Sequence, residues 1–213
     1  MSTPVSDGAR RAAVGGAAEE SSGAVDAPEG GHQRCERYAL RWWAMLLLGG
    51  AAFLIVLDTS MVVTALPAIQ ADLGFSTAAL QWVVNAYMLT FGGFMLLGGR
   101  LADLLGRRRV FLAGAAVYLL TSLLAGWAWS PEVLVAARAV QGLSAALAVP
   151  AALSLVLTLF PDGEERNKAV GVWGSISGLG AIAGFILGGP LTDGPGWPWI
   201  YFMNVPFAAA ILL

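Results

Sequence analysis

The chain has 213 residues, of which 57% are hydrophobic and only 12% are charged, and its mean hydropathy is +0.70. A soluble domain carries about 25% charged residues, so this composition excludes a water-soluble globular protein and indicates an integral membrane protein. The formal net charge of −2 gives no electrostatic footprint for nucleic acid, which is not expected as a partner.

The first 40 residues are predicted to be a disordered tail. Residues 1–37 are rich in Gly, Ala, Ser and acidic residues and contain no apolar run. The first apolar segment begins too late and is too long for a signal peptide. Cys35 and His32 are the only residues of their types, so the sequence predicts no disulfide, no metal site and no cofactor.

Residues 41–213 are predicted to form a transmembrane domain built of α-helices. Crossing about 30 Å of hydrocarbon takes about 20 apolar residues. Lipid excludes unpaired backbone groups, so continuous apolar runs are expected to be helical. The alternation typical of a β-barrel is absent. The predicted spans are 42–66, 80–99, 109–129, 133–158, 169–190 and 199–213.

Basic residues predict the orientation of these spans. All twelve Lys and Arg residues except Arg138 precede the first span or lie between spans two and three or between spans four and five. The opposite connections carry Asp72, Glu132 and Asp193 instead. Because loops rich in Lys and Arg stay in the cytoplasm, we expect a multi-pass protein of the plasma membrane with a cytoplasmic N-terminus.

The sixth predicted span is short. Trp199–Leu213 would extend only about 22 Å as a helix, and the apolar run ends without a closing charge or an aromatic anchor. We therefore expect an incomplete sixth helix in a chain that is the N-terminal part of a longer protein.

Two ionisable residues lie at membrane depth. Asp58 is nine residues before Pro67, about 13 Å from the outer end of span one, and Arg138 is five residues after Val133, about 8 Å below the same interface. Burying such groups costs at least about 2.5–3.5 kcal/mol and usually marks function. Their long side chains can meet, and the functional hypothesis is a site that loads and releases a proton. The alternatives are a structural hydrogen bond for Asp58 and snorkelling of Arg138 to the headgroups.

The connection between spans two and three combines glycines, an aspartate and a run of arginines. The glycines permit a tight turn, the aspartate can stabilise a helix N-terminus or pair with an arginine, and the arginines hold the connection outside the membrane. This pattern resembles the signature loop of the major facilitator superfamily, and the resemblance implies a cytoplasmic gate. The residues of this gate motif are Gly99, Asp103, Gly106, Arg107 and Arg108.

Three further segments resemble the fourteen-span drug:proton antiporter branch of that superfamily. Leu57–Pro67 is similar to the branch's Leu-Asp-x-Thr-x-Val-Asn-x-Ala-Leu-Pro, with Ser60 and Val63 replacing the usual Thr and Asn. Arg138–Gly142 in span four is similar to the basic motif linked to proton coupling. Trp197–Pro206 resembles the branch's Trp-x-Trp-x-Phe-x-x-Asn-x-Pro.

Span five carries a glycine stripe whose four-residue spacing lets two helices approach closely. Plain helix packing is one interpretation. The other is the antiporter motif of exporters in this superfamily, from which the chain departs by Phe185 in place of a proline and by a proline after the paired glycines. The stripe consists of Gly180, Gly184 and Gly188, followed by Gly189.

The resemblance covers residues 40–213 and implies the N-terminal six-helix half of the major facilitator fold, with its two inverted three-helix repeats. It implies a proton-coupled exporter of lipophilic or cationic, antibiotic-like compounds, with Asp58 as the proton carrier and Arg138 modulating it. The implied partners are the substrate, protons, the lipid bilayer and the missing C-terminal half.

Two alternatives remain open at this stage. A metabolite transporter can use the same fold, and a half-transporter can be an inactive or regulatory fragment. An enzyme is not expected, because no metal cluster or nucleotide-binding loop accompanies the spans. Three aromatic residues are candidates for lining a substrate cavity, with helix packing or lipid contact as the favoured alternative for each, namely Trp82, Tyr87 and Trp173.

Overall fold

The computed structural model describes the backbone of residues 29–160 and 162–212 and the side chains of residues 40–160 and 162–212. Within these ranges all regular structure is α-helical, which confirms the predicted class. The helices are α1 (Glu29–Leu73), α2 (Thr77–Leu80), α3 (Trp82–Leu105), α4 (Arg107–Gly126), α5 (Pro131–Leu159), α6 (Glu164–Asp193) and α7 (Pro198–Leu212).

Five helical segments are long and apolar enough to cross a membrane, and α7 is a shorter apolar helix of 15 residues. Each predicted span overlaps one of these six. The third predicted span runs to residue 129, whereas α4 ends at Gly126. The chain turns there because Ser130 accepts a hydrogen bond from the backbone N–H of Val133 and caps α5. The five long segments are Leu40–Leu73, Thr77–Leu105, Arg107–Gly126, Pro131–Leu159 and Glu164–Asp193.

The first helix begins earlier than predicted. The sequence places residues 29–40 in a disordered tail, but their backbone is helical from Glu29 onward. Extending an existing helix adds one hydrogen bond for each residue fixed, without a new nucleation cost. Gln33, Arg34, Glu36 and Arg37 are also residue types of good helix propensity. The prediction for residues 1–28 concerns a part of the chain outside the described residues.

The connection between α3 and α4 is Gly106 alone. Its φ of 96° lies in the region that glycine adopts readily and other residues avoid. Most of the predicted loop is therefore helical, and Asp103 stands in the last turn of α3. Asp103 is not itself the first residue of a helix, because α3 continues to Leu105, and its stabilisation of a helix N-terminus stays a prediction. Its alternative, pairing with an arginine, is present: Asp103 Oδ1 lies 3.8 Å from Arg107 Nη2.

Small residues bring α5 into backbone contact with α3 and α4. A Cβ atom added at Gly98 of α3 would lie 2.1 Å from the carbonyl oxygen of Ala146. One added at Gly114 of α4 would lie 3.0 Å from the carbonyl oxygen of Ser144. Lipid is as apolar as a leucine side chain, so helices in a membrane associate through such close packing and through interhelical hydrogen bonds.

The glycine stripe of α6 packs against α1. Gly180, Gly184 and Gly188 are buried, and Cβ atoms added at the first two would come within 2.6 Å of carbonyl oxygens of α1. Gly189 differs, because nothing lies within 4 Å of its Cβ position. The packing interpretation therefore accounts for three of the four glycines, and the antiporter role of the motif stays a prediction.

The membrane-length helices are buried unequally. In the most apolar part of α1, 56% of the residues are buried. In the most apolar parts of Thr77–Leu105, which contains α3, and of α6, only 17% are buried. Large apolar side chains such as Leu89 and Leu96 on α3 and Ile182 and Ile186 on α6 are exposed. These two helices therefore present apolar faces that the described residues leave uncovered.

We expect Gly184→Ala to lower the free energy of unfolding by about 1–3 kcal/mol relative to Gly189→Ala. The methyl group at position 184 would meet the Leu57 carbonyl oxygen and Ser60 Cβ, both at 2.6 Å, whereas position 189 is open. Both changes raise helix propensity equally, so the difference isolates the contact. Unfolding in mixed detergent micelles, followed by tryptophan fluorescence, measures it. Equal stability of the two variants would contradict the close approach of α1 and α6.

Candidate functional site

A buried ion pair joins α1 to α5 inside the apolar bundle. Asp58 and Arg138 are both 0% exposed. The Nη1 atom of Arg138 donates a hydrogen bond of 2.6 Å to Oδ2 of Asp58. The structure thus brings together the two ionisable residues whose depths in the sequence suggested that they meet, and Arg138 does not snorkel to the helix end.

Arg138 is held by three further contacts. Its Nε donates to the carbonyl oxygen of Val83 on α3 at 3.2 Å, and its Nη1 also donates to Oε1 of Gln141 at 2.7 Å. The guanidinium carbon lies 4.3 Å from the ring centroid of Tyr87, a cation–π arrangement. These contacts all come from α3 and α5, so the position of the guanidinium does not depend on Asp58 alone.

The second oxygen of Asp58 binds Asn204 on α7. Nδ2 of Asn204 donates to Oδ1 of Asp58 at 2.6 Å, and Asn204 is 0% exposed. An ionised carboxylate only accepts hydrogen bonds, so the amide must present its NH₂ group to Asp58. The carbonyl oxygen Oδ1 of Asn204 is buried without a hydrogen-bond partner among the described residues.

Gln141 extends the polar cluster to α4. Since its Oε1 accepts from Arg138, its Nε2 is turned towards Ser122 and donates to that hydroxyl at 2.9 Å. The backbone of Gln141 is engaged as well, because Ser144 donates to its carbonyl oxygen at 2.7 Å. The cluster therefore runs from Asn204 on α7 to Ser122 on α4 through five buried side chains.

Two tyrosines complete the surroundings of the ion pair. Tyr118 on α4 and Tyr201 on α7 are buried and close enough to Asp58 to interact with it electrostatically. The hydroxyl oxygen of Tyr201 has no hydrogen-bond partner within the described part of the chain. Leaving a buried polar group unpaired costs about 1–3 kcal/mol. That hydroxyl is therefore available to a rearranged side chain or a water molecule.

A cleft of about 290 Å³ lies beside the ion pair, between α1, α3, α5 and α6. Tyr87 and Trp173 line it together with Thr59, Phe91 and Ser177. Tyr87 also stacks on Phe91, with ring centroids 5.9 Å apart. Trp82, the third aromatic candidate, is not part of this cleft; it lines a separate groove with Glu132. Tyr87 is the residue shared by the cleft and the ion-pair site.

The gate-motif residues form a second polar site at the arginine-rich end. Besides its contact with Asp103, Arg107 donates from Nη1 to the carbonyl oxygen of Ser154 on α5 at 3.3 Å. Arg107 thereby links α3, α4 and α5 around the Gly106 connection. Arg108 is exposed, and a Cβ atom added at Gly99 would lie 4.0 Å from Cβ of Pro150. A surface groove of about 740 Å³ is lined by residues 102–109 and Leu155.

Sequence reasoning missed the uncharged members of the buried cluster, namely Ser122, Gln141, Asn204, Tyr118 and Tyr201. Three of them were inside segments already singled out: Gln141 follows Arg138 by one helical turn, and Tyr201 and Asn204 belong to the segment Trp197–Pro206. The first residue of that segment is also tied to α1, since Trp197 Nε1 donates to Asp72 Oδ2 at 2.8 Å. Ser122 gives no distinguishing signal in the sequence.

The fold and the site define a multi-pass helical membrane protein with an ionisable centre in its interior. A family model described as Major Facilitator Superfamily matches residues 48–213. The chain belongs to this superfamily, which confirms the family resemblance stated on the sequence.

Two similar proteins carry names that describe drug resistance or export. The chain is 49% identical over 173 residues to the puromycin resistance protein pur8 of Streptomyces alboniger, covering 81% of this chain and 34% of that protein. It is 47% identical over 169 residues to the cephamycin export protein CmcT of Amycolatopsis lactamdurans, covering 79% of this chain and 35% of that protein. The chain thus spans about a third of the length of these relatives.

The fold has a counterpart among solved structures. A bacterial homologue of the human lysosomal transporter Spinster, in an inward-facing and unoccupied conformation, aligns with a TM-score of 0.61. The identity is 19%, and the match covers 81% of this chain and 41% of that one. At this identity the likeness supports the fold alone.

We expect Arg138→Leu to lower the free energy of unfolding by about 3–5 kcal/mol, because it leaves the Asp58 carboxylate buried without a counter-charge. Adding Asp58→Asn should recover a large part of this loss, since the remaining side chains are then neutral. Chemical unfolding in detergent, evaluated as a double-mutant cycle, measures the coupling. Additive losses in the double variant would contradict an energetic dependence between the two charges.

Proposed function

We propose that the chain is the N-terminal part of a proton-coupled exporter of lipophilic or cationic, antibiotic-like compounds. The observation that carries this proposal is the buried Asp58–Arg138 pair in a member of the Major Facilitator Superfamily. The names of the puromycin and cephamycin relatives support export of antibiotic-like compounds over uptake of a metabolite. Transport, and no catalysis, is the activity proposed.

Asp58 is the proton carrier in this proposal. With Asp58 ionised, Arg138 neutralises it at 2.6 Å. When a proton binds, the charge attraction disappears, and Arg138 keeps the contacts to Val83, Gln141 and Tyr87 that hold it in place. Return of the negative charge restores the pair. The free-energy difference between these two states is what a proton gradient can change.

The cleft beside the pair is the proposed substrate surface of this part of the transporter. Its lining is mostly apolar and includes Tyr87, Phe91 and Trp173. Its small polar residues are Thr59, Ser60 and Ser177. Aromatic and aliphatic walls with few polar groups suit lipophilic ligands, and aromatic faces attract organic cations. Tyr87 places this surface in direct contact with the guanidinium of Arg138.

The arginine-rich end is the proposed cytoplasmic side, where Asp103, Arg107 and Arg108 act in a gate. Basic residues lie in the first turns of α4 and α6 at this end. The Arg107 contacts to Asp103 and to the backbone of Ser154 can hold α3, α4 and α5 together in one state and open in another. The lipid bilayer of the plasma membrane surrounds the helices, and the N-terminus is cytoplasmic.

The uncovered apolar faces of α3 and α6 support the proposal of a second helical half. The relatives are about three times as long as the matched part, so their remaining length can supply such a half. Substrate and proton would then pass between the two halves. The cleft described above is one wall of that passage.

We expect Asp58→Asn to abolish efflux driven by an imposed proton gradient in vesicles containing the full-length transporter. The amide has nearly the shape of the carboxyl group but cannot exchange a proton. Asp193→Asn is the matched control, because Asp193 is exposed at the end of α6, and it should leave efflux unchanged. Proton-driven efflux by Asp58→Asn at the wild-type rate would contradict the carrier role.

The proposed orientation predicts the accessibility of introduced cysteines. In a Cys35→Ser background the chain has no other cysteine. Asp193→Cys should react with a membrane-impermeant thiol reagent added outside intact cells, whereas Asp162→Cys, near the basic residues of α6, should react only after permeabilisation. The opposite labelling pattern would place the N-terminus outside the cytoplasm.

A further inference from the structure

Asn204 gives Asp58 a second hydrogen bond that charge neutralisation by Arg138 does not require. Asp58 is already neutralised by Arg138, yet its other oxygen receives a second donor from α7 at 2.6 Å. Asn204 is 0% exposed, and its own carbonyl oxygen is left without a partner among the described residues. The Asn204 amide therefore donates a hydrogen bond to Asp58 through Nδ2, while its acceptor Oδ1 has no partner among the described residues.

Oδ2 of Asp58 faces a donor, Arg138, so a proton on the carboxyl group is favoured on Oδ1, where the two protonation states need opposite partners. An ionised carboxylate can only accept a hydrogen bond, whereas a protonated carboxyl group has an O–H to donate. The amide of asparagine carries both functions on one planar group. Turning the Asn204 amide by half a revolution exchanges its NH₂ for its carbonyl oxygen.

We propose that Asn204 is a positioning residue whose amide follows the protonation of Asp58. It donates to the carboxylate in the ionised state and accepts from the carboxylic acid in the protonated state. The unused Oδ1 atom is the acceptor that the second state requires. The proposal rests on Asp58 being the proton site of the proposed transporter.

Protonation of Asp58 would affect the contacts of α1 with α5 and with α7 differently. Loss of the charge on Asp58 removes the attraction to Arg138 and thus weakens the tie between α1 and α5. The amide of Asn204 keeps α1 bonded to α7 in both states, aided by the Trp197–Asp72 hydrogen bond. Arg138 stays with α3 and α5 through Val83 and Gln141. Protonation then loosens one specific contact between two sets of helices.

Among the groups around Asp58, Asn204 is the one that bonds its Oδ1 atom through an amide. Asp58 is faced by Arg138 from α5, Tyr87 from α3, Tyr118 from α4 and Tyr201 from α7. The arginine cannot accept a hydrogen bond at all. From α6, the residue packed against α1 next to Asp58 is Gly184, which brings no titratable group.

The chain offers a direct test, because it contains only three asparagines: Asn85, Asn167 and Asn204. The wild-type chain labelled with side-chain ¹⁵N-asparagine gives three NH₂ groups by NMR in lipid nanodiscs. Asn85→Ala and Asn167→Ala change exposed side chains and assign the Asn204 signal without touching the site. The protonation of Asp58 is followed in parallel by the infrared carboxyl band that Asp58→Asn removes.

Above the midpoint of the Asp58 titration, one N–H of Asn204 should have the chemical shift of a bond to a carboxylate. Below the midpoint, it should move to the position of an amide without that bond, while Asn85 and Asn167 stay unchanged. Retention of the bonded position on both sides would overturn the role of Asn204 and leave that of Asp58 intact. Absence of a titrating Asp58 band between about pH 4 and 9, the range in which a working proton carrier must exchange, would overturn the proton site itself.

Discussion

The structure is organised around the cost of removing two charges from water. A carboxylate and a guanidinium at 0% exposure each lose several kcal/mol of hydration, which their attraction repays only when geometry and further hydrogen bonds are good. Donors and acceptors reach Asp58 and Arg138 from α3, α5 and α7, and Nη2 of Arg138 is the one atom of the pair left without a hydrogen-bond partner among the described residues. The helices around the pair must therefore lie close together, and glycines at their contacts permit this.

Close packing and the polar cluster depend on each other. A Cβ added at Gly142, next to Gln141, would lie 2.3 Å from the backbone oxygen of Tyr87, so the glycine brings α5 close enough to α3 for Arg138 to reach Val83. Gly184 does the same for α6 and the α1 backbone at Leu57, one residue before Asp58. Small residues thus set the interhelical distances at which short polar side chains can bond.

The sequence predicted the charged half of the site and missed the neutral half for a physical reason. Asp58 and Arg138 stand out because an ionisable group inside an apolar run is rare and costly. Gln141 and Ser122 are tolerated at many places in membrane helices, so their roles depend on which neighbours three-dimensional packing supplies. The short connection between α3 and α4 was missed for a similar reason. Glycine and arginines in sequence suggest a loop, whereas in the structure Gly106 alone, with its positive φ, connects the two helices. The five long spans were predictable because each is a continuous apolar run, which in lipid is satisfied by a helix.

The hydrogen bonds of the cluster fall into two groups that meet at the ion pair. Arg138, Gln141 and Ser122 tie α3, α4 and α5 together, and Arg107 adds a contact between α4 and α5 at the far end. Asn204 of α7, and Trp197 just before that helix, bond to α1. A ligand changes a conformational equilibrium only through contacts that differ between the states. In the proposed transporter, a proton on Asp58 would act on the contact that joins these groups, while the bonds within each group persist. A single proton would then favour a movement of helices without dismantling the bundle.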